Sequence, residues 1–451
     1  MASEGTVTLP DYLQAATPNP PDKRAPWYTN TAPTYAGIFL WFVFWDQMAA
    51  NGLGTGGLAL ALLGIVVAGV ICHLWFYLVP GLLGMKTGLP LYIVGTSTFG
   101  AIGGLLMPGF LMGLLQFGWL AVNAFFSSKK LAGGDDTLAF QLLCIAWAAG
   151  AAFIGLKGIQ YVAKVATFLP LIPLAVLLLA LYQFGGSATS YQPSDKGDPL
   201  WAVLAMVGAI VGFFATAGAA GVDFGLNSRD RADVNLGGLT GILLAAVFTA
   251  GAATLAVAGA HAQGVLSARD PEPFTLTEAL KKSLPDWERA ISLGLTIAAF
   301  PGACFSSFIA ANSFKTVMPR INPFITVGLG TLVSIVLAIT KLAADLPAVF
   351  SVIGASFGPI CGAMCADYLV AGRRWPGPRA GFNPAGWAAW LLGFIVGILP
   401  NLHKLVPAIP DVPASSVLAF LVGFLVYYGL AKFGLESQVL PYGPAQNQQT
   451  D

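Results

Sequence analysis

From residue 35 to residue 432 the chain alternates long apolar blocks with short polar stretches. A helix rises about 1.5 Å per residue and a bilayer core is about 30 Å thick, so a block of about 20 apolar residues predicts a membrane-spanning helix. Twelve such windows fall near 35–54, 58–84, 101–127, 137–157, 160–184, 200–221, 235–260, 288–312, 323–342, 347–370, 385–401 and 414–432. They are numbered here as spans 1 to 12. The turn between spans 4 and 5 is placed around Gly155–Ile159.

The pattern predicts an all-α integral membrane protein of about 12 transmembrane helices, divided by its polar stretches. Residues 1–34 form an N-terminal segment, 35–184 a first five-helix set and 185–199 an extracellular loop. Residues 200–370 form a second five-helix set, 371–432 two additional helices and 433–451 a solvated tail. The 261–287 loop contains PFTLTEALKKSL, a Thr cap before apolar residues at helical spacing, which predicts a short surface helix. Residues 1–30 are polar and Pro-rich with no apolar core, so no cleaved signal peptide is expected. Lys and Arg are modestly biased towards the loops that share a side with the termini, which predicts cytoplasmic termini in a cell membrane.

Composition narrows the class. Charged residues make up 10% of the chain and hydrophobic ones 56%, against about 25% charged in a soluble domain. A net charge of +1, with basic residues scattered over many loops, offers no stripe to neutralise phosphates, so nucleic acid is not an expected partner. The 54 Gly and 30 Pro lie largely inside apolar runs, where they serve close helix approach or helix interruption. The five cysteines have no zinc-type spacing, and His73, His261 and His403 join no HExxH or GxSxG motif. No enzyme chemistry or cofactor is implied. A channel would need a charged ring or filter-like sequence, and none is present.

Candidate chemistry gathers on four spans. Span 1 carries Trp45-Asp-Gln-Met-Ala-Ala-Asn-Gly-Leu-Gly-Thr-Gly-Gly57, and span 6 carries Gly212-Phe-Phe-Ala-Thr-Ala-Gly-Ala-Ala-Gly221. Each opens a five-helix set, the arrangement of an inverted 5+5 repeat whose first helices are broken at a binding site. Either cluster alone is as well explained by tight packing. In span 3, Gln116, Trp119 and Asn123 share one helix face, suiting a planar solute that stacks on the indole and bonds the amides. Helix packing is the bland alternative. Phe213 or Phe214 could supply a second ring, with Thr216 a nearby hydroxyl and Asn51 a further amide in span 1.

In span 8, the carbonyl of Ala303 and the hydroxyls of Ser306 and Ser307 lie near one face, suited to sodium; hydroxyls bonded back to the preceding turn are the alternative. Asn312 faces elsewhere, towards the solute. Two charges fall inside spans. Asp46 is a proton-coupling site, a gate partner or a group reaching water, and Lys164 snorkels to the interface.

Three segments together resemble the nucleobase:cation symporter-1 family, which includes purine, cytosine, allantoin and hydantoin transporters. They are Gly84-Met-Lys-Thr-Gly-Leu-Pro90, Gly212-Phe-Phe-Ala-Thr with Val222-Asp-Phe224, and Gly358-Pro-Ile with Asp367-Tyr and Arg373-Arg374. The resemblance runs from about Tyr35 to Leu402. It implies a LeuT-type fold with a planar heterocycle held between spans 1, 3, 6 and 8, symported with sodium or protons. Carried over by position, Trp119 is the stacking ring, Asn123 and Gln116 the amides, Phe214 the span 6 ring and Thr216 a small hydroxyl residue. Ala303, Ser306, Ser307 and Asn312 match the span 8 pattern, and the carbonyls of Ala49 and Gly52 would complete a sodium site. Asp46 has no counterpart in that pattern, and Leu53 stands where some relatives present a polar contact.

Overall fold

A computed structural model describes residues 9–158, 160, 166–193 and 197–442. Ile159 and Lys164 lie outside the described residues. Every regular element described is helical, with two isolated backbone bridges. Among the described residues, nine helices are long and apolar enough to cross a bilayer. A bent pair, Pro384–Gly397 with Leu399–Leu405, a shorter apolar helix, Pro323–Ile339, and an interrupted span 1 account for the other three windows. The protein is multi-pass. Leu63, Leu142, Phe153, Leu329 and Leu425 are exposed, the apolar outer surface that lipid requires.

Span 1 is where helix formation fails. Helix Thr31–Phe39 ends at Leu40, Trp41 is extended (φ −60°, ψ 124°), and Phe42–Asp46 resumes before a 3-10 turn at Met48–Asn51. The break is held by local bonds, with the Trp45 indole donating to the Leu40 carbonyl at 2.9 Å and the Trp41 amide to the Ile38 carbonyl at 3.3 Å. Gly57, in the left-handed region (φ 70°), kinks the chain where span 1 gives way to span 2.

Span 6 is helical over Pro199–Ala219 and is interrupted at Ala220, inside the Gly-rich stretch, before the short helix Gly221–Gly225. Glycines of the same stretch also serve contact: a Cβ at Gly212 would stand 2.7 Å from the Phe350 carbonyl, and one at Gly218 2.7 Å from the Phe76 side chain.

Both described terminal segments meet at one end of the bundle. The Asn19 amide donates to the Gly88 carbonyl at 2.8 Å, and the Leu440 amide to the Pro378 carbonyl at 2.7 Å. At the opposite end, helix Leu276–Ser283 closes over spans 1 and 3, burying Leu276, Ala279 and Leu280 at helical spacing. This is the surface helix expected in the 261–287 loop.

Candidate substrate site

The break in span 1 delivers Trp41 into a cluster of rings from spans 1, 3, 6 and 10. Trp119 meets Trp41 edge-on at 5.9 Å and Phe213 edge-on at 5.3 Å between centroids. Trp41 and Phe213 lie within 29° of parallel at 6.3 Å, while Phe350 closes the group at 5.6 Å from Phe213 and 6.1 Å from Trp119. Phe44 backs Phe213 at 4.6 Å. The Trp119 indole donates to the Thr216 hydroxyl at 3.3 Å, joining spans 3 and 6. Apart from that pair, the cluster offers only apolar faces and the Trp41 N–H. None of these side chains is charged. The surface suits a flat, uncharged solute that gains affinity from ring contact.

Several expected residues stand elsewhere. Phe214 is fully buried and turns away from Trp119, stacking on Phe39 at 5.7 Å and touching Tyr35 at 5.7 Å. Phe213 takes the place expected of it. Asn123 lies on the Trp119 face but is engaged by neighbouring helices: its amide donates to the Ala299 carbonyl at 3.0 Å and accepts from the Trp147 indole at 2.9 Å. Gln116 is buried, and its amide donates only to the Met112 sulfur at 3.6 Å, a weak acceptor. Asn51 donates to the carbonyls of Gln47 and Met48 in its own turn. Asn312 is exposed, beside Lys315 and Asn322 in a groove near Phe324, and joins none of these groups to the ring cluster.

The residues expected to hold a cation lie on spans 1 and 8. Ala49 and Gly52 belong to the lid end of span 1; a Cβ at Gly52 would press on the Ala202 carbonyl of span 6 at 3.0 Å. The Ser307 hydroxyl donates back to the Ala303 carbonyl at 3.3 Å and is packed against Gly155 of span 4. Ser306, beside it, is half-buried. The glycines at 52–57 look like the break of span 1, whereas the helix is first interrupted at Leu40–Trp41, where no Gly or Pro marks it.

Asp46 therefore follows the break instead of preceding it. Its carboxylate is buried and caps the lid helix from outside: the Thr277 amide donates to Oδ1 at 2.8 Å and the Thr277 hydroxyl to Oδ2 at 2.6 Å. Lys130 of span 3 stands 3.8 Å away and lies over the Phe42 ring. Thr275, in the capping position, makes no capping bond of its own. The helix end takes a carboxylate from a distant span, which suits its positive terminus. Beside this contact a cleft of about 300 Å³ is lined by Gln47, Phe125, Lys129, Glu272 and Phe274.

No family model and no curated protein matches the sequence. Solved structures do match in shape. A closed form of Mhp1, a nucleobase-cation-symport-1 family transporter with bromovinylhydantoin bound, superposes with TM-score 0.65 at 15% identity, over 92% of this chain and 94% of that one. Inward-facing Mhp1 gives 0.66 at 16%, over 97% and 99%. A Na+-coupled sialic acid symporter in a substrate-bound outward-open state gives 0.59 at 13%, over 93% and 92%. The chain has the LeuT-type transporter fold. Mhp1 belongs to the family whose motifs the sequence resembles, and the expected inverted 5+5 architecture with two further helices agrees with it. A manganese transporter from Eremococcus coleocola shares the shape at TM-score 0.55 and 14% identity, over 90% and 92% of the two chains. One fold thus serves cargoes as unlike as a hydantoin, a sialic acid and a metal ion, so cargo must be argued from the site.

Proposed function

We propose that this protein is a secondary transporter that imports a nucleobase or related planar nitrogen heterocycle together with a cation, by alternating access. The observation that carries the reading is the uncharged ring cluster of Trp41, Trp119, Phe213 and Phe350 beside the break in span 1. A broken first span at a solute site is how this fold joins binding to movement. Binding in the cluster ties span 1 to spans 3 and 6, and a cation that favours the same arrangement raises solute affinity by linkage.

Sodium is the proposed cation. Span 8 offers the Ala303 carbonyl with the hydroxyls of Ser306 and Ser307, and span 1 would contribute carbonyls from its break near Leu40, not from Ala49 or Gly52. Asp46 serves as the latch of the lid helix, since both its oxygens are engaged by Thr277. The lid end faces outward and the termini face the cytoplasm, in line with the distribution of Lys and Arg.

The test is uptake of radiolabelled cytosine, uracil, hydantoin and allantoin into proteoliposomes, under a sodium gradient alone and then a pH gradient alone. Sodium-driven accumulation of one ring, lost in Trp119→Ala while the variant still purifies as a folded protein, is expected. Accumulation of a quaternary ammonium compound instead would reassign the cluster as a cation cage. Accumulation driven only by the pH gradient and untouched by Ser307→Ala would overturn sodium.

A further inference from the structure

Four tryptophans stand at or near the ring cluster, and three of their indole N–H groups are engaged. Trp45 donates to the Leu40 carbonyl, Trp119 to the Thr216 hydroxyl and Trp147 to the Asn123 amide oxygen. The fourth, Nε1 of Trp41, is buried and has no acceptor among the described residues. A buried donor without an acceptor is costly, and most in native structures are paired. Trp41 is also the residue at which span 1 abandons the helix, so its extended backbone brings the indole against Trp119 and Phe213. Continuing the helix through residue 41 would aim the side chain elsewhere.

We infer that Trp41 is the specificity-determining residue of this transporter, its indole N–H meeting a carbonyl oxygen on the edge of the solute ring. The inference rests on the function proposed above and narrows it to rings that carry an exocyclic carbonyl. The other polar groups point the same way. The Thr216 oxygen already accepts from Trp119, so its own proton is left to donate, and no carboxylate stands in the cluster to receive a basic amine. A site built from donors rejects a ring that offers them nothing, because their desolvation is then uncompensated. The donor also sits on the hinge itself. An acceptor that engages Trp41 therefore acts on the element whose two halves must move.

The test is calorimetric binding to the full-length protein in detergent. The probes are uracil with its 2-thio and 4-thio counterparts, and hydantoin with the same pair of replacements. A thiocarbonyl keeps the ring but accepts hydrogen bonds poorly. In the wild type, one of the two thio replacements should weaken binding about tenfold. Trp41→Phe, which keeps a ring and removes the N–H, should weaken the oxo ligand by a similar factor, and the same thio replacement should then cost nothing further. An unchanged oxo affinity in Trp41→Phe, or a thio loss of equal size in both proteins, overturns the inference while leaving the proposed function standing. Should Trp41→Phe fail to fold, the wild type alone decides: equal affinity for the oxo and both thio rings overturns it. A wild type that binds a planar heterocycle without a carbonyl as tightly as uracil or hydantoin also overturns it. Failure of every heterocycle to bind removes the function proposed above, and this inference with it.

Discussion

The two ends of the helical bundle are fastened by different chemistry. At the lid end, Asp46 caps helix Leu276–Ser283, and Lys129 pairs with Glu272 at 2.7 Å, these last two side chains being 33% and 36% exposed. At the end where the termini meet, Arg379 pairs with Asp367 at 2.9 Å, with side chains only 4% and 2% exposed, and reaches Glu436 at 2.5 Å. Ser97 and Thr98 donate to the second Asp367 oxygen at 2.6 and 3.0 Å. The Lys129–Glu272 charges return to water when parted and lose little. Charges of the second kind cannot be parted without leaving one stranded in the protein. The Lys129–Glu272 contact is therefore suited to release, and the Arg379 clasp to fixing the loop between spans 2 and 3 against spans 10 and 12.

The largest effect should come from the clasp. Arg379→Met strands Asp367 and is expected to cost about 3–5 kcal/mol, seen as a marked fall in the thermal unfolding midpoint in detergent. Breaking Lys129–Glu272 with Glu272→Gln should cost under about 1 kcal/mol. Equal losses from the two variants would erase the distinction.

A second measurement at the clasp end uses pH. Asp223 lies just beyond span 6, and burial pushes its carboxyl up to about 6, against one stabilising bond from the Leu91 amide at 2.9 Å. Its folded value lies above the ordinary 3.8, so the folded state holds the proton more tightly than the unfolded chain. Stability is therefore greatest below the unfolded value and is lost as pH rises through about 6, by about 3 kcal/mol at most. Asp223→Asn should raise the unfolding midpoint at pH 7.5 and flatten its change between about pH 4 and 6. A wild type whose midpoint rises with pH across that window, with the slope unchanged in Asp223→Asn, would contradict the assignment.

The span pattern was legible because lipid imposes length and apolarity on each helix separately, and the nine long apolar helices among the described residues each overlap one of the twelve windows. The ring site was legible in part. Trp119, Phe213 and Thr216 could be picked out because a helix face and a short motif are local properties. Trp41 and Phe350 could not, since no Gly or Pro marks the break and nothing local distinguishes an aromatic of this cluster from one elsewhere in the core. The amides illustrate the opposite error. Asn123 has the right face and the right chemistry, yet Ala299 and Trp147 engage it, and those partners lie on other spans, 176 and 24 residues away. Asp46 was recognisable as an anomaly, but its partner Thr277 is 231 residues away, so its role was not.

The most local predicted effect is at that latch, and it separates a cap from a proton carrier. If Asp46 holds the lid as an N-terminal cap, Asp46→Ala removes an acceptor for the Thr277 amide and should cost about 1 kcal/mol locally. By hydrogen exchange, amides of Leu276–Ser283 should open about fivefold more often, with those of span 10 unchanged. Asp46→Asn keeps an oxygen for the Thr277 amide but loses the charge and the acceptor of the Thr277 hydroxyl, so its exchange should fall between those of the wild type and Asp46→Ala. Lys130 adds a check, because Lys130→Met leaves the cap bonds intact and should alter lid exchange less than Asp46→Ala does. A cap also predicts that Asp46→Asn retains cation-driven uptake at a changed rate, since lid opening is altered and the driving ion is not. Unaltered lid exchange in Asp46→Ala, together with loss of all pH-gradient-driven uptake in Asp46→Asn, would instead make this carboxylate the carrier of the coupled proton.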